Sequence, residues 1–214
     1  MKAKKVISKV LAAALASAML LSCVYAASPD RTMSSAAQSN GNFSASATTN
    51  GKKPKYVFLF IGDGMSYPQF QAASDYLGAV ADTDNDDILD GNVPLSFMNF
   101  PVAGSAVTYD STSFCPDSAS TATSIATGHK TESGVINMCP WTRDVPYETI
   151  AEKLHAQKGY KVGIISSVNI DHATPAAFYA HQKTRKNYYQ IGVELANSGF
   201  EYFAGGEFQK VNGD

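Results

Sequence analysis

The sequence predicts an α/β fold with a largely parallel sheet covered on both faces by helices, and three observations carry that prediction. Apolar runs alternate along the chain with stretches of helical spacing. Two of those runs, 56–61 (YVFLFI) and 161–166 (KVGIIS), read as buried strands, the first a continuous apolar run closed in by Pro54 and Gly62. Polar loops rich in Gly, Asp, His and Thr follow them, and in open α/β sheets reactive groups gather in the loops at the carboxyl ends of strands.

Taken in order, residues 56–61 form the first expected strand and Gly62-Asp63-Gly64 breaks it. Helical spacing follows over 69–77. The acidic stretch 82–87 (DTDNDD) invites a calcium reading, but Asp87 stands where the turn glycine belongs and Val93 where the bidentate Glu belongs. A solvated loop is the expectation there. Residues 102–109 read as a strand, 118–127 as a helix of small residues, 147–157 as an amphipathic helix and 187–197 as another helix, with a short final strand over 201–204.

At 214 residues and 44% hydrophobic content the chain can bury a core of its own. A formal net charge of -2 supplies no basic field, so nucleic-acid-specific binding is not expected. Lys2, Lys4 and Lys5 precede an apolar run over 10–21, the charged and apolar regions of a bacterial-type secretory signal, and the run is too short to be a durable membrane anchor. Two processing sites compete. Val24-Tyr25-Ala26 suits cleavage before Ala27, whereas Leu20-Leu21-Ser22-Cys23 resembles a lipoprotein box that would leave Cys23 lipidated. Plain export is favoured because Leu21 sits where that box usually has a smaller or β-branched residue. Either route places the mature chain outside the cytoplasm, in the periplasm, on the cell surface or in the medium. Residues 1–26 are thus expected to be a signal peptide, 27–53 a disordered tether rich in Ser, Ala, Asn and Thr, and 54–214 the folded part. In an oxidising compartment Cys115 and Cys139 could pair or stay as two free thiols.

Three loops carry candidate chemistry. Asp63, flanked by glycines at a strand end, is placed to bind a cation, although Asp followed by Gly more often makes a turn. In the second loop, PDSASTATS, Ser118 stands at the mouth of a helix whose unpaired N–H groups and positive dipole end suit an anion such as phosphate. The plainer reading makes Asp117 or Ser118 an N-cap. No Gly-x-Ser-x-Gly elbow surrounds Ser118, so it needs some other activation, and coordination to a metal is one recognised route. The third loop packs Asp171, His172 and Thr174 into four residues ahead of Arg185, whose planar fork matches phosphate oxygens. His181 reads as a structural histidine.

The ordered set IGDGM, PDSASTATSIATG, HATPAAFYAH and TRK, spread from Pro54 to about Tyr189, resembles the alkaline phosphatases. The resemblance implies a three-layer sandwich with a largely parallel central sheet, a dimer, and hydrolysis of phosphate monoesters through a phosphoserine at a site of two zinc ions and one magnesium. It implies that Ser118 is the nucleophile and a metal ligand, that Arg185 grips the phosphate and that Asp117 helps hold Arg185. Asp63 matches a ligand bridging a zinc and the magnesium, and Thr174 a hydroxyl ligand of the magnesium. His172 falls where some members carry aspartate and others histidine, which leaves its role as a metal ligand and the third metal's identity open.

Alkaline phosphatases are longer than this chain and draw most zinc ligands from a C-terminal half, so the chain is expected to be an N-terminal portion whose sheet is incomplete at the C-terminus. The alternatives are a catalytically silent phosphate-binding fragment, or another member of the superfamily with sulfatase, phosphodiesterase or phosphomutase activity. The Cys- or Ser-x-Pro-x-Arg motif of sulfatases is absent.

Overall fold

The computed structural model describes residues 54–83 and 91–212. The signal, tether and Cys23 readings, and most of the acidic stretch, lie outside those residues. The chain divides into two units, Met1–Phe58 and Leu59–Asp214. Of the first, residues 54–58 are described and are exposed and irregular.

The second unit opens with α1, Tyr67–Ala81. Its start is set by Ser66, whose N–H donates to Gln69 Oε1 at 2.9 Å, and by a proline in the first turn, where a missing N–H costs nothing. Helix α1 packs against the segment beyond it, with Ser74 Oγ donating to Val93 O at 2.7 Å. A single 3-10 turn follows at Ser96–Asn99. Helix α2, Ser118–Thr127, is capped by Asp117 and ends at Gly128, whose φ of 77° suits a residue with no Cβ. Helix α3, Ile150–Lys158, starts at a capping box in which Thr149 and Glu152 satisfy each other's backbone N–H.

Strand β1, Gly163–Asn169, runs into the short helix α4, Ala173–Ala176, then α5, Tyr188–Asn197, and strand β2, Tyr202–Gly206. The two strands pair in parallel, with Ile164 opposite Phe203, and the register shifts before Asn169 meets Gly206. The architecture is therefore α/β with a parallel sheet, as expected. Among the described residues that sheet has two strands. The runs 56–61 and 102–109, expected as strands, form none: Phe58 is 78% exposed and Val102 84%. An apolar run becomes a strand only where a neighbour supplies ladder partners, and among the described residues the ladder is confined to β1 and β2.

The core lies between α2, α4 and α5. Ala119 and Ala122 of α2 meet Ala173, Ala176 and Ala177, while Ile136 and Ile191 fill the remaining space and Phe203 packs from the sheet side. Small side chains let helix backbones approach closely, and burying each isoleucine contributes about 1.5–3 kcal/mol. Asn137 ties these parts together. It is fully buried, donates from Nδ2 to Ala177 O at 2.7 Å and Ala180 O at 2.8 Å, and its N–H donates to Thr123 Oγ1 at 3.0 Å. Its φ of 51° is a conformation that asparagine tolerates better than most residues.

His181 is structural, as its sequence context suggested. Burial pushes its pKa down, but Glu152 and Glu194 outweigh that and raise it to about 10. It therefore joins α3 to α5 as a cation at neutral pH.

Asn137→Ala leaves two buried carbonyls without a donor and should lower stability by about 2–4 kcal/mol in urea unfolding. A loss below about 0.5 kcal/mol, the ordinary size of a surface change, would show that this side chain does not tie the helices together.

Candidate active site

The site's side chains come from the turn ahead of α1 (Asp63), the start of α2 (Asp117, Ser118), the segment leaving β1 (His172, Thr174) and the segment ahead of α5 (Arg185). Asp117 is the N-cap of α2: its Oδ1 accepts from Ser120 N at 3.0 Å, so one of the helix's unpaired N–H groups is satisfied. Its Oδ2 accepts from Arg185 Nη1 at 2.9 Å. The same carboxylate accepts from the N–H of Gly134, and Arg185 N–H donates to Gly134 O at 2.7 Å. Burial raises the Asp117 pKa, and the bonds from Gly134, Ser120 and Arg185 more than reverse that, holding it below the usual carboxylate range. Asp117 is thus both an N-cap and the anchor of Arg185.

Ser118 is the first residue of α2 and is half-buried. Arg185 Nη2 lies 3.3 Å from His172 Nε2, which makes that nitrogen the acceptor and leaves the ring proton on Nδ1. That Nδ1 is buried without a partner among the described residues. Burial, then the neighbouring guanidinium, lower the His172 pKa against the weaker upward pull of Asp63 and Asp171. Thr174, in α4, donates from Oγ1 to Asp63 Oδ2 at 2.9 Å across 111 residues of chain. Two clusters result. One contains Asp117, Ser118, Arg185 and His172, and the other Asp63 and Thr174, with Ala173 alone between His172 and Thr174.

Asp63 and Thr174 are hard oxygen donors of the kind that magnesium takes, whereas His172 Nδ1 carries the ring proton in this arrangement and would offer a lone pair only after a change of tautomer. These residues fit part of a site for a hard cation. Among the described residues no group of three or more His, Cys, Asp or Glu side chains is arranged to hold a metal ion, so they do not complete a zinc site.

Sequence reasoning missed Asp110. It is 5% exposed, and its Oδ1 accepts from Thr112 N and Ser113 N, each at 2.7 Å, and from Thr112 Oγ1 at 3.0 Å. Its Oδ2 accepts from Ser120 Oγ at 2.8 Å and from Ser133 Oγ. Burial pushes its pKa up, and the bonds from Ser133, Thr112, Ser120 and Ser113 bring it down to about 2. The signal was present in Asp110-Ser111-Thr112-Ser113, where an aspartate ahead of hydroxyl residues folds back on their N–H groups as an Asx-turn. Cys115 and Cys139 are both free thiols, so the pairing left open by the sequence is not made.

The alkaline phosphatase family model matches residues 54–202, well over half of the chain. The chain belongs to the alkaline phosphatase family. It is similar to alkaline phosphatase 4 of Drosophila melanogaster, with 37% identity over 61% of this chain and 22% of that protein. The tissue-nonspecific alkaline phosphatase of Gallus gallus is 32% identical over 65% of this chain and 27% of its own length. The fold matches that of a cold-active alkaline phosphatase from a psychrophilic Shewanella species, with a TM-score of 0.53 and 28% identity over 66% of this chain and 33% of that one. The chain thus spans about a quarter of the length of these curated alkaline phosphatases.

Asp110 and Asp117 both have lowered pKa values, so their ionised forms stabilise the fold above the unfolded carboxylate value of 3.8. That stability should drain as the pH falls from 3.8 toward about 2, where Asp110 takes up its proton. Ser120→Ala removes a donor to Asp110 and should move acid unfolding to higher pH. An unchanged acid limb in a circular-dichroism titration would contradict the network.

Proposed function

We propose that the protein containing this chain hydrolyses phosphate monoesters, with Ser118 as the nucleophile and a phosphoserine as the intermediate. The observation that supports it most is the ion pair of Arg185 with Asp117, the residue immediately before Ser118, at the start of α2. A guanidinium held there on one side keeps donors for two phosphate oxygens, and the first N–H groups of α2 add the positive end of a helix dipole. Ser118 Oγ attacks phosphorus in line, losing its hydroxyl proton to solvent and forming the Oγ–P bond as the ester P–O bond breaks, and the alcohol oxygen leaves with the electron pair and takes up a proton from water. Water then attacks the phosphoserine, releasing inorganic phosphate and returning the hydroxyl. Arg185 and the helix N-terminus balance charge on the equatorial oxygens in both steps.

Bound divalent cations, by family resemblance two zinc ions and one magnesium, would lower the pKa of the attacking hydroxyl and neutralise charge on the leaving oxygen. Asp63, Thr174, Ser118 and His172 are the residues here proposed to hold part of that set. Export through residues 1–26, or a lipid anchor at Cys23 in its place, and assembly as a homodimer belong to the same proposal. The absence of a three-ligand cluster among the described residues favours one rival, a phosphate-binding piece with no turnover of its own.

Hydrolysis of p-nitrophenyl phosphate at alkaline pH separates the two. Ser118→Ala should lower kcat by a factor on the order of 10³ or more, as loss of a nucleophile does elsewhere. Arg185→Ala should raise the inhibition constant for inorganic phosphate about 10–100-fold, the worth of a hydrogen bond to a charged group. Turnover that survives Ser118→Ala, or that is indifferent to a chelator, would overturn the proposal, and a lack of turnover by the unaltered protein would favour the rival.

A further inference from the structure

We propose that Asp110 is a positioning residue for phosphate recognition, fixing the orientation of Arg185 through two hydrogen-bonded arms that converge on Asp117. The inference rests on the phosphatase reading of the same site.

The two oxygens of Asp110 do different jobs. Oδ1 is spent locally, on Thr112 and Ser113, and these bonds lock the carboxylate in place. Oδ2 reaches 10 residues forward to Ser120 and 23 residues forward to Ser133. A buried carboxylate serving two remote hydroxyls fixes the spacing between the elements that carry them.

The first arm runs through α2. Ser120 Oγ lies 2.8 Å from Asp110 Oδ2, 3.0 Å from Asp117 Oδ1 and 3.2 Å from Asp117 O. A hydroxyl has one proton to donate, and the shortest of the three contacts is to Asp110. Asp117 Oδ1 then keeps the backbone N–H of Ser120 as its donor on this helix. Were Asp110 uncharged, the Ser120 proton would turn to Asp117 and draw its carboxylate toward the helix, away from the guanidinium.

The second arm runs through the turn at Ser133 and Gly134. Ser133 Oγ donates to Asp110 Oδ2, and Ser133 N–H donates to Thr112 Oγ1 at 3.3 Å. The next residue, Gly134, has a φ of 81°, which swings its peptide groups to opposite uses. Its N–H donates to the Asp117 carboxylate, and its C=O accepts from Arg185 N at 2.7 Å. One turn, pinned by Asp110, therefore holds both members of the ion pair.

Arg185 needs this support. Its side chain is 23% exposed and that of Asp117 28%, so burial alone does not fix a long side chain with many rotamers. A planar fork loses its two-point match to phosphate when it is turned by even 10–20°.

The test uses the intact protein and inorganic phosphate as a competitive inhibitor of p-nitrophenyl phosphate hydrolysis, with Asp110→Asn made in the parent and in Arg185→Ala. In the parent it should raise the phosphate inhibition constant and KM together, about tenfold, as loss of hydrogen bonds to a charged group predicts. In Arg185→Ala the same change should alter the inhibition constant less than about twofold, because the arms then have nothing to orient. Ser133→Ala, which removes one arm and no charge, should repeat the pattern on a smaller scale and stands in if Asp110→Asn does not fold. Equal loss in both backgrounds would reveal a merely structural role and overturn the inference, as would no loss in either. A parent protein without turnover would overturn the phosphatase reading and this inference with it, whereas turnover with unchanged phosphate inhibition would overturn this inference alone.

Discussion

The ion pair between Asp117 and Arg185 joins parts of the chain 68 residues apart, and most of the site's geometry follows from how it is held. A half-buried pair of this kind gains from its charges only if the remaining donors and acceptors are also satisfied. Here they are. Asp117 is fed by Ser120 and Gly134 as well as by Arg185, and Arg185 leans on His172 and on the carbonyl of Gly134. Because Asp117 is also the cap of α2, the interaction that anchors the arginine is the one that starts the helix carrying Ser118. Ser118 and Arg185, the proposed nucleophile and phosphate-binding cation, are therefore positioned by a single carboxylate.

That arrangement explains the small residues of α2. Ala119 and Ala122 lie fully or almost fully buried against α4, and larger side chains would push the helix start away from the loop that carries His172 and Thr174. Asn137 serves the same closeness from the other side by tying the Ala177 and Ala180 carbonyls to the turn beside Thr123. The core thus acts as a spacer that sets the distance between two segments of the candidate site.

Helices α1, α2, α3 and α5 and the existence of β1 and β2 were legible in the sequence because their signals are local, although both strands extend past the ends expected at 166 and 204 and the short α4 was not foreseen. Asp117 capping a run of Ser, Ala and Thr, Thr149 paired with Glu152, and the glycines at 128 and 159 mark boundaries within a few residues. The runs 56–61 and 102–109 were not legible, since hydrophobicity says that a segment avoids water and says nothing about which strand it pairs with. Asp63, Asp117, Thr174 and Arg185 could be found through motifs, and their pairing, Asp63 with Thr174 and Asp117 with Arg185, appeared only in the fold. Asp110 escaped because its meaning lies in Ser120 and Ser133, which no local pattern connects to it.

The central claim is that the serine placed by Asp117 is the group that accepts the phosphoryl. Its most direct test is to mix the intact protein with a phosphate monoester labelled in the phosphoryl group, quench in acid and map the label by peptide mass spectrometry. The account predicts one labelled peptide, with the phosphate on Ser118. Label on any other residue, or turnover with no covalent label under conditions that trap phosphoserine, would contradict it.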